Sequence, residues 1–161
     1  MLPFDELVAV VKDCCAHGDL VVEDAMTPRG IRISASDLTS VCEELHRHPS
    51  LFFDMLSCIS AVDNGAAIGT IDVVYNLYSI PFNHHLAVKV VISRDAPELE
   101  SVTAIWKAAN WHEREAFDMF GVRFKGHPDL RRILLPADWE GFPLRKDYKH
   151  QEYYRSVKVE Y

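Results

Sequence analysis

Leu86-Ala87-Val88-Lys89-Val90-Val91-Ile92 is the stretch that decides how this chain folds. Successive side chains alternate across a strand, so Leu86, Val88, Val90 and Ile92 share one face of an extended segment. Two earlier runs, Leu51–Val62 and Ile68–Ile80, have the same β-branched and aromatic character. Asp63-Asn64-Gly65 and Pro81-Phe82-Asn83 separate the three and are turn sequences. Connections this short predict antiparallel neighbours, and hence a sheet through the middle of the chain.

Helices flank that sheet on both sides in sequence. Phe4, Leu7, Val8 and Val11 recur at helical spacing, predicting a helix over residues 3–17 with Gly18 as its stop. Leu20–Met26 and Gly30–Ala35 follow as short extended runs, with Ile31 and Ile33 alternating against Arg32 and Ser34. Ser36 or Asp37 is placed to cap a second helix through Leu38, Val41 and Leu45, which must end before Pro49. A third helix is predicted from near Glu98, with Val102, Ile105, Trp106 and Ala109 as its apolar stripe. Asn110 then reads as a fresh cap, with Glu113 completing a capping box and Gly121 ending the helix. Within that last helix, Arg114 and Asp118 are spaced to pair.

Beyond Gly121 regular patterns fade. Residues 122–161 contain Pro128, Pro136 and Pro143, and interleave arginines with Trp139, Phe142, Tyr148, Tyr153 and Tyr154. Such a segment is too apolar for a disordered tail and too long and irregular for an ordinary internal loop. The expectation is an α+β body over 1–121 and an extended arm over 122–161 that docks on a partner, within a single domain. Arg, Tyr and Trp are the residue types that interface centres favour.

Charge divides the chain at nearly the same place. Of 17 Lys/Arg and 24 Asp/Glu, residues 1–110 hold 7 and 15, and residues 111–161 hold 10 and 9. The first balance is −8 and the second +1. An acidic body argues against non-specific nucleic-acid binding. Asp5 and Glu6 replace the basic start of a secretory signal, which is not expected here. No apolar run approaches the roughly 20 residues of a spanning helix.

Few residues carry chemistry by their spacing. Cys14, Cys15, Cys42 and Cys58 form no Cys-x-x-Cys pair, so they read as reduced, mostly buried thiols. His84 and His85 on a strand point to opposite faces, and His46 and His48 do not share a helical face. Phosphate-binding glycine loops and the nucleophile elbow are missing. Glu113 and Glu115, two apart on a helix, diverge by roughly 200° and make poor paired carboxylates. A free-standing enzyme using Glu113, His127 or Asp129 is the rival reading, and it demands one pocket around all three.

The sequence Glu113-Arg114-Glu115-Ala116-Phe117-Asp118-Met119-Phe120-Gly121-Val122 continues to Gly126-His127-Pro128-Asp129-Leu130-Arg131-Arg132-Ile133-Leu134, and then to Asp138–Tyr148. Together these closely resemble the signature of the C-type subunit of NADH:quinone oxidoreductase, the 30 kDa family of respiratory complex I. The resemblance implies helices packed on a mixed, mostly antiparallel sheet. It implies no cofactor in this chain, with flavin, iron–sulfur clusters and quinone held by partner subunits. It implies a seat on the cytoplasmic side of a bacterial plasma membrane, in a complex that pumps protons. The implied neighbours are the quinone-site (D-type) subunit and, close by, the cluster-bearing (B-type) subunit. Related membrane-bound hydrogenases and ferredoxin-dependent oxidoreductases share such a subunit. Glu113, Arg114, Glu115, Asp118, His127 and Pro128 are the motif residues. Arg131, Arg132, Arg145 and Lys146 are the expected ionic contacts to a partner, and Trp139, Phe142 and Tyr148 the expected anchors.

Overall fold

The computed structural model describes residues 3–15 and 20–159. Helix α1 is Phe4–Cys14, followed by strands β1 (Val21–Glu23) and β2 (Gly30–Ile33), helix α2 (Leu38–Arg47), and strands β3 (Met55–Asp63), β4 (Thr70–Ser79) and β5 (His84–Ser93). Then come β6 (Glu98–Glu100), helix α3 (Ala109–Phe120), β7 (Arg123–Lys125) and a small hairpin of β8 (Tyr153–Tyr154) and β9 (Val157–Lys158). The main sheet runs β1-β2-β5-β4-β3. Only the β2–β5 pair is parallel; the other three are antiparallel. This is an α+β fold on a mixed, mostly antiparallel sheet.

The alternation read at 86–92 holds. Leu86, Val88, Val90 and Ile92 are buried, and Ile71, Val73, Tyr75 and Leu77 line up beside them on β4. Leu7 and Val11 of α1 and Leu38, Val41 and Leu45 of α2 complete the same core. Each such aliphatic side chain withdrawn from water contributes about 1.5–3 kcal/mol. His84 is buried and His85 exposed, as opposite faces require. Asp37 occupies the N-cap position of α2, after a 3-10 turn at Ala35–Asp37. Cys15 and Cys42 are buried and Cys58 is half-buried; the Cys14 side chain and the predicted stop at Gly18 lie outside the described residues. Among the described residues, no helix is long and apolar enough to cross a membrane.

Three boundaries differ from the sequence expectation. Leu51–Asp54 is not strand, because Phe52 N–H donates to His48 O and Phe53 N–H to Leu45 O, closing the end of α2. No helix starts at Glu98: Glu98–Glu100 pairs in parallel with Arg123–Lys125, a tertiary partner that overrides local spacing. Val102 and Trp106 are nonetheless buried, in tight turns that lead into α3. The Asn110 capping box does not form either. Helix α3 begins at Ala109 with Ala108 at the cap and no side-chain bond there, since Glu113 is used elsewhere.

Candidate functional site

Helix α3 is a hub with charged groups buried on two sides. Toward the body, Glu113 is fully buried and its carboxylate accepts Val102 N–H at 2.8 Å and Ser101 Oγ–H at 2.7 Å. Burial pushes this carboxyl up to about 7, even though both hydrogen bonds favour the ionised form. Burial likewise pushes Cys42 and Tyr75 up, and the charge of Glu113 adds to both effects.

Toward the C-terminal segment, the fully buried Asp118 takes a different set of partners. Its Oδ2 accepts three successive backbone N–H groups, from Ile133, Leu134 and Leu135, at 3.0, 2.7 and 2.9 Å. Its Oδ1 accepts Arg132 at 2.7 Å. Burial opposes the charge, but this donor shell wins and holds the carboxyl below its usual range. Asp118 therefore pairs with Arg132, not with Arg114 one helical turn away. Arg114 instead donates to the carbonyls of Arg131 and Arg132 and lies over the Trp111 ring.

The end of α3 exposes carbonyls that need donors. The C-terminal segment supplies them: Arg132 to Asp118 O, Leu144 N–H to Met119 O, and Arg145 to Phe120 O at 2.8 Å. Two guanidinium groups at a helix C-terminus also suit its dipole. Phe142 sits between Arg132 and Arg145, each over its ring. Gly121 ends the helix at φ +79°, and a Cβ there would meet the Phe142 ring at 2.6 Å. Glycine is required twice over at this position.

A second fastening lies where β3 ends. Asp63 accepts Arg94 at 2.8 and 3.2 Å, Gly65 N–H at 3.0 Å and Lys146 N–H at 2.8 Å. Arg94 also donates to Asp147. Burial opposes ionisation of Asp63, but these donors bring it down to about 2. Asp63, Arg94, Ser101 and Asp147 are the residues that sequence reading does not single out as site members. The partners that tie them across the fold stand 12 to 83 residues away, so no local pattern announces those ties.

The remaining motif residues are spread along the strap that residues 122–159 form over the body. His127 Nδ1 accepts Asp129 N–H at 2.9 Å, so Nε2 carries the proton and donates to Asn110 O at 3.2 Å. Pro128 is exposed. Trp139 donates to the Tyr148 hydroxyl at 3.0 Å, and Tyr148 packs on Gly141. Arg132 and Arg145 thus bond within the chain, whereas Arg131 and Lys146 present exposed side chains. Glu113, His127 and Asp129 do not converge: the carboxylate faces Ser101 while the imidazole faces Asn110. Among the described residues, no three of His, Cys, Asp and Glu gather as a metal would require.

Comparison with known proteins gives the family and the fold. The family model described as "Respiratory-chain NADH dehydrogenase, 30 Kd subunit" matches residues 31–154. A relative from Chlorobium phaeobacteroides, named as the C-type subunit of an NADH-quinone oxidoreductase, is 56% identical over 71% of this chain and 69% of its own. Among solved structures, a trypsin-resistant fragment (1-134) of Nqo5 superposes with TM-score 0.63 at 25% identity, over 79% of this chain and 98% of the fragment. A chain of the membrane-bound sulfane sulfur reductase, an archaeal respiratory membrane complex, shares the fold with TM-score 0.73 at 24% identity, over 91% of this chain and 85% of that one. The chain belongs to the family of the respiratory-chain NADH dehydrogenase 30 kDa subunit.

Proposed function

We propose that this chain is a cofactor-free assembly subunit of the peripheral arm of a proton-pumping NADH:quinone oxidoreductase. It docks on the quinone-site (D-type) subunit, close to the cluster-bearing (B-type) subunit, on the cytoplasmic side of a bacterial plasma membrane. The observation that carries this reading is the two-sidedness of the strap over residues 122–159. Its inner side is fixed by Asp118, Asp63 and the end of α3. Its outer side, with the neighbouring start of α3, offers Trp111, Leu134 and Leu144 at 62%, 63% and 54% exposure, beside Arg131 and Lys146. Large apolar side chains left in water near exposed cations suit an acidic-rimmed apolar partner surface. Flavin, iron–sulfur clusters and quinone belong, on this reading, to the partner subunits.

Purification of the tagged chain from native membranes in mild detergent tests this. Recovery of the quinone-site and cluster-bearing subunits together with NADH-binding flavin subunits is the expected result. Recovery of nickel-site proteins would instead assign the chain to a related membrane-bound hydrogenase. A monomer free of partners would overturn the assembly role.

A further inference from the structure

The sheet order leaves β3 as an outer edge. At its hairpin end, Asn64 N–H donates to Thr70 O, while across β4 Arg94 N–H donates to Gly69 O. Bonding direction alternates residue by residue in an antiparallel ladder. The even-numbered Cys58, Ser60 and Val62 therefore bond toward β4, through Asn76, Val74 and Asp72. Ile59 and Ala61 turn their N–H and C=O groups outward, and no described residue outside the ladder bonds to them.

Natural edges are guarded by lysine, proline, bulges or covering elements. Met55–Val62 contains no Lys, Arg or Pro. Its one guard is a register shift between Leu56 and Cys58, which leaves the later half regular. Alongside that half runs a groove of 190 Å³, bounded by Ile59–Ala61, by Ala116 and Phe120 of α3, and by Leu144 of the strap. Glu115 stands at its rim, exposed and in no ion pair among the described residues. Met55–Val62 is itself uncharged, so Glu115 is the charged residue of the groove's lining.

Building on the assembly role proposed above, we propose that this edge takes up an extended segment of a neighbouring subunit as a sixth strand. Main-chain bonds to Ile59 and Ala61 hold it, an aliphatic side chain fills the groove, and a Lys or Arg of the segment meets Glu115. The occupant is thus a basic, apolar strand of another chain.

Hydrogen exchange on the purified complex and on the chain alone tests this. In the chain alone, the Ile59 and Ala61 amides exchange as exposed edge groups. In the complex they slow by roughly tenfold or more. Ala61→Pro removes an outward N–H that the sheet does not use, so it leaves the melting temperature nearly unchanged and abolishes the protection at Ile59. Glu115→Arg, on an exposed position, does the same through charge and serves if the proline variant fails to fold. Fast exchange at both amides in a complex that retains its partners overturns strand addition and leaves the assembly role standing. Protection already present in the monomer assigns the edge to the chain's own terminus, and protection that appears only with dimerisation assigns it to a second copy. Either overturns the proposal. If no partner co-purifies, the assembly role fails and strand addition with it.

Discussion

The sheet and the strap are held by opposite means. Tyr75, Phe53, Ile31 and Leu86 are buried because apolar surface leaves water. Residues 131–147 stay in place because two buried carboxylates, Asp118 and Asp63, each collect several donors from them or their anchors. The first kind of cohesion is spread over dozens of contacts and tolerates small errors. The second is concentrated, so one atom can undo it. A buried carboxylate stripped of its donors is costly, and donors stripped of their carboxylate are equally stranded.

Asp118→Ala breaks that comparison most sharply. It strands three N–H groups and the Arg132 guanidinium, and the expected loss is about 3–5 kcal/mol in denaturant unfolding. Limited proteolysis should then cut after Arg131 and Arg132 while amides of β4 and β5 keep their protection. A core truncation such as Ile71→Ala should cost a similar 2–5 kcal/mol, on the order expected for a cavity, but through the sheet. If Asp118→Ala loosened β4 as much as the strap, the two regions would be one cooperative unit.

Gly121→Ala comes next. The left-handed φ and the contact with Phe142 together should cost about 1–3 kcal/mol. The damage should localise to Phe142 and Arg145, visible as faster exchange of the Leu144 amide.

pH separates the two regions by sign. Asp63 has its carboxyl lowered to about 2 in the folded state. It therefore contributes stability that is complete above the ordinary carboxylate range and is lost as pH falls from about 4 toward 2. Asp118, also lowered, acts in the same direction. Glu113 is raised from 4.5 to about 7. The folded state then holds the extra proton, so the contribution of Glu113 is complete below 4.5 and is lost as pH rises through about 7. Glu113→Gln keeps an acceptor for Val102 N–H and removes this decline. Its melting temperature should exceed that of the wild type at pH 8 and approach it at pH 4.5. An unchanged slope between those values would mean that Glu113 does not titrate there.

The smallest effect is expected from Arg131→Glu. Its side chain is 71% exposed and, among the described residues, its only ion pair is with Asp129, so stability should shift by no more than about 0.5 kcal/mol. Recovery of partner subunits should fall. Arg132→Glu, set against Asp118, should unfold the strap outright, so adjacent arginines of one motif separate into a contact and a fastening.

This division explains what the sequence reveals. Strands β4 and β5 are legible because alternation is a local signal of burial, and Gly121 because a helix stop is a local geometry. The helix starts expected at Glu98 and Asn110 are not, since Leu99 answers to Phe124 and Glu113 to Ser101 across the fold. The motif is legible as a resemblance and as a charge cluster. Its physical content is not: Asp118 looks like an i,i+4 partner of Arg114 until the nest at 133–135 is seen. Asp63 reads as a turn residue, which it is, with no hint of Lys146 coming to it 83 positions later.

That distance has a consequence for the order in which the molecule is made. Residues 144–147 leave the ribosome after every strand of the main sheet. Their receptor at Asp63 and Arg94 exists only when the ends of β3 and β5 stand at their final spacing. This later-made piece thus closes only over a finished sheet, and the outward side chains it carries come into register at that moment. A chain stalled or misfolded upstream cannot present this face, so on the assembly role proposed above an unfinished copy is refused by its partners without any separate inspector.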